Sequence, residues 1–482
     1  MSKRHGSQFS PGGGRRARRS RKTHNRSSNA ARRKPGRKGK PARRNGHPLA
    51  GALKGLLDKA CGRAGKAGKV LWTPFRVAIA AILMAWDSAP TASERFENAL
   101  MALWLMMPRR QLGRTYQGFI KALRRNGQLP SLLGVELRQR MSELAHEHWL
   151  REGWCAFAVD GSKFNCPRTQ RNEQEFGHGG RKNGPPQQLL TMLWHMGTGL
   201  PWGWTTAPVK GSDERGQWQT LLALLPPGAL LVADAGFVGY DMMGRIMASG
   251  RHLLIRAGRN VCRLSKLGYW EREDADTVYL WPRQTSAGGD RSGRKLRQQQ
   301  PPLVLRLIRL RRAGKPDMCL LTDVLDEKQL SAESAGVLYG LRWGVEVGFR
   351  GIKRTLRRHT LRSDAPVQAK LELEWVLMSF WVLGLLSVQR VIEEGHDPLS
   401  WSVALALRAV RRQMRWRACQ TDDLADALAR AVQDDYKRHG PKARRHWPRK
   451  REQHPPGEPK IIVATADEVQ LAREYHHEKA AA

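Results

Sequence analysis

Two short runs in the middle of the chain are apolar at every position and then stop at an aspartate: Phe157-Ala158-Val159-Asp160 and Leu230-Leu231-Val232-Ala233-Asp234. A strand that is apolar on both faces must be covered on both, so such runs belong inside a sheet with helices packed against it. The neighbouring segments agree. Gln188 to Met196 and Trp202 to Val209 read as a hairpin around Gly197-Thr198-Gly199, a helix starts near Ser212-Asp213, and a helix near Tyr240 to Met247 precedes a strand His252 to Ala257. Strands alternating with helices predict an α/β fold, a mixed sheet with flanking helices. Singly, each aspartate is ordinary turn or cap chemistry. As a pair, each emerging at the end of its strand, they would bring two carboxylates to one end of the sheet, a poor arrangement unless a cation lies between them.

Around this core the texture divides the chain. Residues 1–47 are a basic arm with almost no large apolar side chains, expected to be disordered when free. Residues 48–150 read as an all-helical N-terminal domain, 151–259 as the first part of the core, and 260–325 as a β-rich insertion carrying Val278-Tyr279-Leu280-Trp281, Leu303 to Leu310 and Met318 to Thr322. The second part of the core follows at 326–395, then helices at 396–438 and a proline-containing basic tail at 439–482.

Charge names the class of partner. Lys plus Arg number 84 against 43 Asp plus Glu, a formal net charge of +41. Seventeen of the basic residues fall between Lys3 and Arg44, where no acid occurs, and +41 less those 17 still leaves +24 for the remainder. The body is basic in its own right, which points to nucleic acid. The six cysteines form no C-x-x-C pair, which fits a reducing compartment without a zinc ribbon. The apolar runs Val77 to Trp86 and Trp375 to Val388 are too short for a bilayer and the N-terminus is charged, so the expectation is a cytoplasmic protein with no membrane partner.

The most informative segment is Tyr339 to Leu356. At about 100° per residue Tyr339, Arg342, Glu346 and Lys353 fall within about 60° of one another, and Leu341, Val345, Phe349, Ile352 and Leu356 form the adjoining apolar stripe. A basic surface helix with one ordinary ion pair is the plain alternative. Against it, Gly344, Gly348 and Gly351 each cost a helix about 1 kcal/mol relative to Ala, which suggests a need for close backbone approach. Glu346 among Arg342, Arg350, Lys353 and Arg354 is then a candidate metal ligand beside phosphate contacts. Three carboxylates suit phosphodiester hydrolysis, for which two Mg²⁺ ions about 3.5–4 Å apart stabilise both attacking and leaving oxygens. The expected arrangement has Asp160 bridging, Asp234 on one ion and Glu346 on the other.

At these residues the sequence resembles the DDE transposases of bacterial insertion sequences, the insertion-sequence-four family. The family signature Y-x2-R-x3-E-x6-K is matched by Tyr339, Arg342, Glu346 and Lys353, and Asp160-Gly161-Ser162 and Ala233-Asp234-Ala235-Gly236-Phe237 look like its two aspartate motifs. The resemblance implies an RNase H-like core and Mg²⁺-dependent strand cleavage and strand transfer at the ends of an insertion sequence, with Mn²⁺ able to substitute. It also implies double-stranded DNA as partner, both terminal inverted repeats and target, a homodimer that pairs two ends, and a nucleoid-associated location in a bacterial cell. Tyr339, Arg342 and Lys353 would hold phosphates. Trp343 would either assist a flipped base or sit in the core. A DNA-binding relative that no longer cuts, and a nuclease without strand transfer, are the alternatives.

Other residues carry two readings each. His178 lies in a basic glycine-rich loop, facing DNA or solvent; His195 in an apolar strand reads as a core histidine. Trp202 and Trp204 pack or stack on bases, and Arg256, Arg259 and Arg263 follow a phosphate backbone or are simply solvated.

Overall fold

A computed structural model of the chain describes residues 47–65, 70–108, 111–179, 184–259, 261, 263–268, 273–282, 300–312, 315–415, 423–433 and 457–481. They belong to one compact unit, Gly46–Ala482. His47 apart, the expected basic arm lies outside the described residues.

Five helices come first: α1 (Pro48–Arg63), α2 (Pro74–Trp86), α3 (Ala92–Met106), α4 (Tyr116–Arg125) and α5 (Leu129–Leu144). Local chemistry sets their starts. The Thr73 hydroxyl accepts from the Arg76 amide ahead of Pro74 at the head of α2, and Thr91 with Glu94 forms a reciprocal capping box on α3. Every residue from Val77 to Leu83 is buried, so α2 is enclosed on all sides.

The remaining elements are β1 (Ala156–Asn165), α6 (Gln170–Phe176), β2 (Gln187–His195), β3 (Leu200–Pro208), α7 (Glu214–Leu222), β4 (Leu230–Ala233), α8 (Tyr240–Ala248) and β5 (His252–Ala257). Next are β6 (Leu264–Lys266), β7 (Thr277–Leu280), β8 (Leu303–Arg312), β9 (Lys315–Thr322), α9 (Ala332–Leu341), α10 (Trp343–Arg350) and a π-helical turn Gly351–Thr355. Last come α11 (Pro366–Glu393), α12 (Val403–Arg415), α13 (Leu424–Ala429), β10 (Ile461–Val463) and α14 (Ala466–Ala481). All ten strands join one mixed sheet in the order β10-β6-β7-β8-β9-β5-β4-β1-β2-β3, with β1, β4 and β5 mutually parallel and β1-β2-β3 antiparallel.

Three features differ from the sequence expectation. The insertion strands are not separate: β9 pairs antiparallel with β5 from Leu254↔Thr322 to Ala257↔Cys319, satisfying an edge that would otherwise expose unpaired amides. The region read as a tail includes β10, paired parallel with β6, and α14, whose Glu468 meets Arg263 at 2.7 Å. The run Trp375 to Val388 sits inside the 28-residue α11, which by length and composition alone could cross a membrane; 83% of its most apolar window is buried within the protein. Its surroundings explain this, since α2, α5, α12, α13 and β3 all pack on it.

Two guanidiniums lock the helical layer to the core. Arg358, 1% exposed, donates to the carbonyls of Met84, Ala85 and Asp87 at 2.9, 2.8 and 2.6 Å, and Arg411 donates to Trp86 at 2.6 Å. The last carbonyls of a helix have no intrahelical donor, and α2 has no basic residue of its own in its last turn. Arg358→Leu is therefore expected to strand these carbonyls in the interior and lower stability by about 3 kcal/mol, measured by urea denaturation. A loss below ~1 kcal/mol would mean that the carbonyls find other donors.

Candidate active site

The register of the sheet brings the two aspartates together. β1 pairs in parallel with β4 as far as Ala158↔Val232, and two residues further along each chain stand Asp160 and Asp234. The expectation of two strand-end residues holds for Asp234, which directly follows β4. Asp160 instead lies inside β1, because the longer partner β2 continues the strand to Asn165 (Asp160↔Met192). Beyond the end of β4 the edge of β1 is unpaired, and Asp160 faces that opening. Asp234 turns its carboxylate onto the Gly236 amide at 2.8 Å, starting a short 3-10 turn.

Glu346 arrives on α10. The single helix expected from 339 onward is interrupted: α9 ends at Leu341, Arg342 is the hinge before α10, and the π-helical turn follows Arg350. Despite these breaks the polar stripe stays on one side. The Arg342 guanidinium lies over the Tyr339 ring (5.4 Å), 3.3 Å from Glu346 Oε1 and 3.9 Å from Asp160 Oδ2. Lys353 donates to the Ser162 hydroxyl at 2.8 Å and lies 4.9 Å from the Phe164 ring centroid. Ser162 is two residues on from Asp160 and so shares its face of the strand; that periodicity is the signal by which it could have been found.

Close approach of α10 to the sheet is what makes these contacts possible. A Cβ on Gly348 would come within 2.6 Å of the Trp194 ring on β2, and one on Gly344 within 3.1 Å of its indole nitrogen. Any side chain at 348 would push the helix, and Glu346 with it, away from β1.

Electrostatically the site is a cluster of carboxylates short of cations. Burial pushes Asp160 up to about 6; the Gly161 amide (2.8 Å) and Arg342 oppose this, while Asp234 and Glu346 add to it. Burial likewise lowers Lys353 to about 8. Among the described residues no three His, Cys, Asp or Glu side chains stand close enough to hold a metal ion, and Arg342 takes the space between Asp160 and Glu346. The donor set nevertheless fits a hard divalent cation: hard oxygen ligands whose mutual repulsion a cation would relieve.

The remaining candidates separate cleanly. Trp343 is 52% exposed, which removes the core reading, and it lines an open groove with Tyr339, Arg342, Arg256, Arg309 and Arg311. His195 is fully buried, stacked on Trp149 and accepting from the Thr198 amide, and burial lowers it to about 3: a core histidine. His178 contacts the Gly184 carbonyl at 2.8 Å. Trp202 and Trp204 donate to the Leu224 carbonyl and to Glu374, so both pack rather than face a ligand. Arg263 is engaged by Glu468, whereas Arg256 belongs to the groove.

Residues 153–382 match the family described as transposase DDE domain. The chain is 27% identical over 249 residues to the transposase InsG for insertion sequence element IS4 of Escherichia coli (strain K12); the match spans 49% of this chain and 52% of that protein, so about half of the relative's length. A structural comparison with the piggyBac transposase synaptic complex with hairpin DNA covers 82% of this chain and 87% of that one at 13% identity, with a TM-score of 0.39.

Asp160 also generates a pH dependence. In the absence of divalent cations the folded protein keeps its proton to about pH 6, whereas the unfolded chain releases it near 3.8. Between those values the folded state binds more protons, so stability falls as pH rises from about 4 to about 6 and stays lower above. Asp160→Asn should remove this slope and exceed the wild type at pH 7.5 by roughly 1–3 kcal/mol, read from urea melts across pH. An unchanged slope would assign the dependence to another group.

Proposed function

We propose that this chain, a DDE transposase of the insertion-sequence-four family, cleaves DNA at the ends of an insertion sequence and transfers the freed strand to target DNA, using Asp160, Asp234 and Glu346 with Mg²⁺ or Mn²⁺. The observation that carries the reading is the convergence at one sheet edge: Asp160 in register with Asp234 and joined to Glu346 through Arg342. An RNase H-like core is supported by the order β3-β2-β1-β4-β5, antiparallel on one side of β1 and parallel on the other.

In this reading the three carboxylates hold two divalent ions, with Asp160 shared. The ions would lower the pKa of the attacking water and stabilise charge on the leaving oxygen. The chain's own cations position the substrate. Arg342 and Lys353 stand at the carboxylates with donors suited to phosphate oxygens, and Tyr339 stiffens Arg342 by lying under its guanidinium. A phosphate entering the groove competes with Asp160 and Glu346 for Arg342, so substrate arrival would free both carboxylates for their cation. Arg256, Arg309, Arg311 and exposed Trp343 extend the groove away from the cut. The basic arm adds non-specific, salt-sensitive attraction, and residues 48–150 serve as a DNA-binding layer. A homodimer pairing two inverted repeats in the bacterial cytoplasm, at the nucleoid, completes the picture.

The test is purified full-length protein with Mg²⁺ and DNA carrying the repeats that flank its own gene. Wild type should nick at the repeat ends and join them to a target plasmid. Asp160→Asn, Asp234→Asn and Glu346→Gln should each lose on the order of a thousandfold in cleavage while still shifting the DNA in a binding gel. Lys353→Met should lose roughly tenfold to a hundredfold. DNA binding without cleavage by wild type would favour a relative that no longer cuts, and cleavage without joining a nuclease.

A further inference from the structure

We propose that Glu214 is a fourth carboxylate of this active site, standing beside Asp234 and holding the divalent cation on that side. The inference rests on the function proposed above and adds a residue that the D, D and E pattern does not include.

Glu214 is the first residue of α7 and reaches β1 from the face opposite α10. Its carboxyl group lies directly against Gly161, the residue after Asp160: a Cβ built on that glycine would come within 2.2 Å of the Glu214 Cδ and Oε1. Gly161 does not have the positive φ that would call for glycine on backbone grounds; the space its missing side chain leaves is taken by this carboxylate. Asp234 is the nearest acidic influence on Glu214, ahead of its own neighbour Asp213, and Asp234 also acts on Asp160. Asp234 therefore sits between the two. The carboxylates form a series, Glu346, Asp160, Asp234 and Glu214, that wraps the unpaired edge of β1 from one face of the sheet to the other.

The head of α7 is anchored in this position. Asp213 caps the helix by accepting from the Gly216 amide at 2.6 Å. Arg215 reaches across to the loop that carries Asp234, donating to the carbonyls of Gly236 (2.7 Å) and Val238 (2.5 Å). Three consecutive residues thus do three things: one ends the loop, one clamps the Asp234 turn, and the one between them faces the site. Charge compensation is also uneven. On the Asp160 and Glu346 side Arg342 contacts both carboxylates, whereas on the Asp234 and Glu214 side the cation acting on Glu214 is Lys163. The side with less compensation is where a divalent ion gains most from one more oxygen ligand.

The experiment is calorimetric titration of Mn²⁺ into the full-length protein without DNA, alongside the Mg²⁺ concentration for half-maximal nicking. Glu214→Gln keeps the shape and removes the charge. It should weaken Mn²⁺ about tenfold or more and raise the Mg²⁺ requirement by a similar factor, with the melting temperature in EDTA not lowered. Gly161→Ala, which leaves Glu214 in the chain but displaces its carboxyl, should shift both in the same direction, and the double variant should be no worse than the more affected single one. Wild-type Mn²⁺ affinity in Glu214→Gln would overturn the inference. Asp234→Asn separates the two levels. If it loses Mn²⁺ while Glu214→Gln does not, only the fourth carboxylate is wrong; if it too binds Mn²⁺ normally, the reading of the site itself falls.

Discussion

Carboxylates gathered at a half-buried edge repel one another, and much of this fold acts as a brace against that repulsion. Asp160 is fixed by a strand paired on both sides up to Ala158, Asp234 by a turn that engages its own carboxylate, and Glu346 by a helix pressed onto Trp194. None of these positions is favourable for the acid it carries, as the upward displacement of Asp160 records. Arg342 offsets part of the cost by touching Asp160 and Glu346 together. The remainder is carried by packing elsewhere, which is how strained or charged functional sites persist in proteins of ordinary stability.

The two fully apolar runs specify their own burial, and burial of parallel strands specifies a covered sheet, so the α/β core from β1 to β5 could be read at nearly its observed boundaries. The stripe of Tyr339, Arg342, Glu346 and Lys353 was legible because helical periodicity is a local property. What could not be read was pairing. Nothing in Leu303 to Thr322 says whether its hairpin forms a sheet of its own or docks on β5, since either choice satisfies the same backbone groups. β10 was invisible for a related reason: three residues between prolines and charges acquire strand character only through the β6 edge they meet.

Irregularity at the site was equally hidden. Periodicity assumes 3.6 residues per turn, and the hinge at Arg342 and the π-helical turn after Arg350 depart from it in the very segment that was most readable. π-helical turns are often found at functional sites. Here the turn carries Lys353, which meets Ser162 two places beyond Asp160 on the strand. Glu214 escaped because α7 looks like any capped surface helix; only the fold shows its first residue lying on the backbone next to the first aspartate.

The single sheet has a mechanical consequence. β9 hydrogen-bonds to β5, β5 to β4, and β4 ends at Asp234, so the arginines on β8 and the carboxylate at the sheet edge belong to one stiff plate. A load applied to the plate's outer strands, by a bound duplex that bends or rotates, has no flexible joint in which to dissipate before it reaches Asp234. In such a lever the far strands set the angle at which the substrate is presented to the cutting edge. A change of twist in β8, more than ten strand spacings of sequence away from any acid, would be felt as a misalignment of the cut.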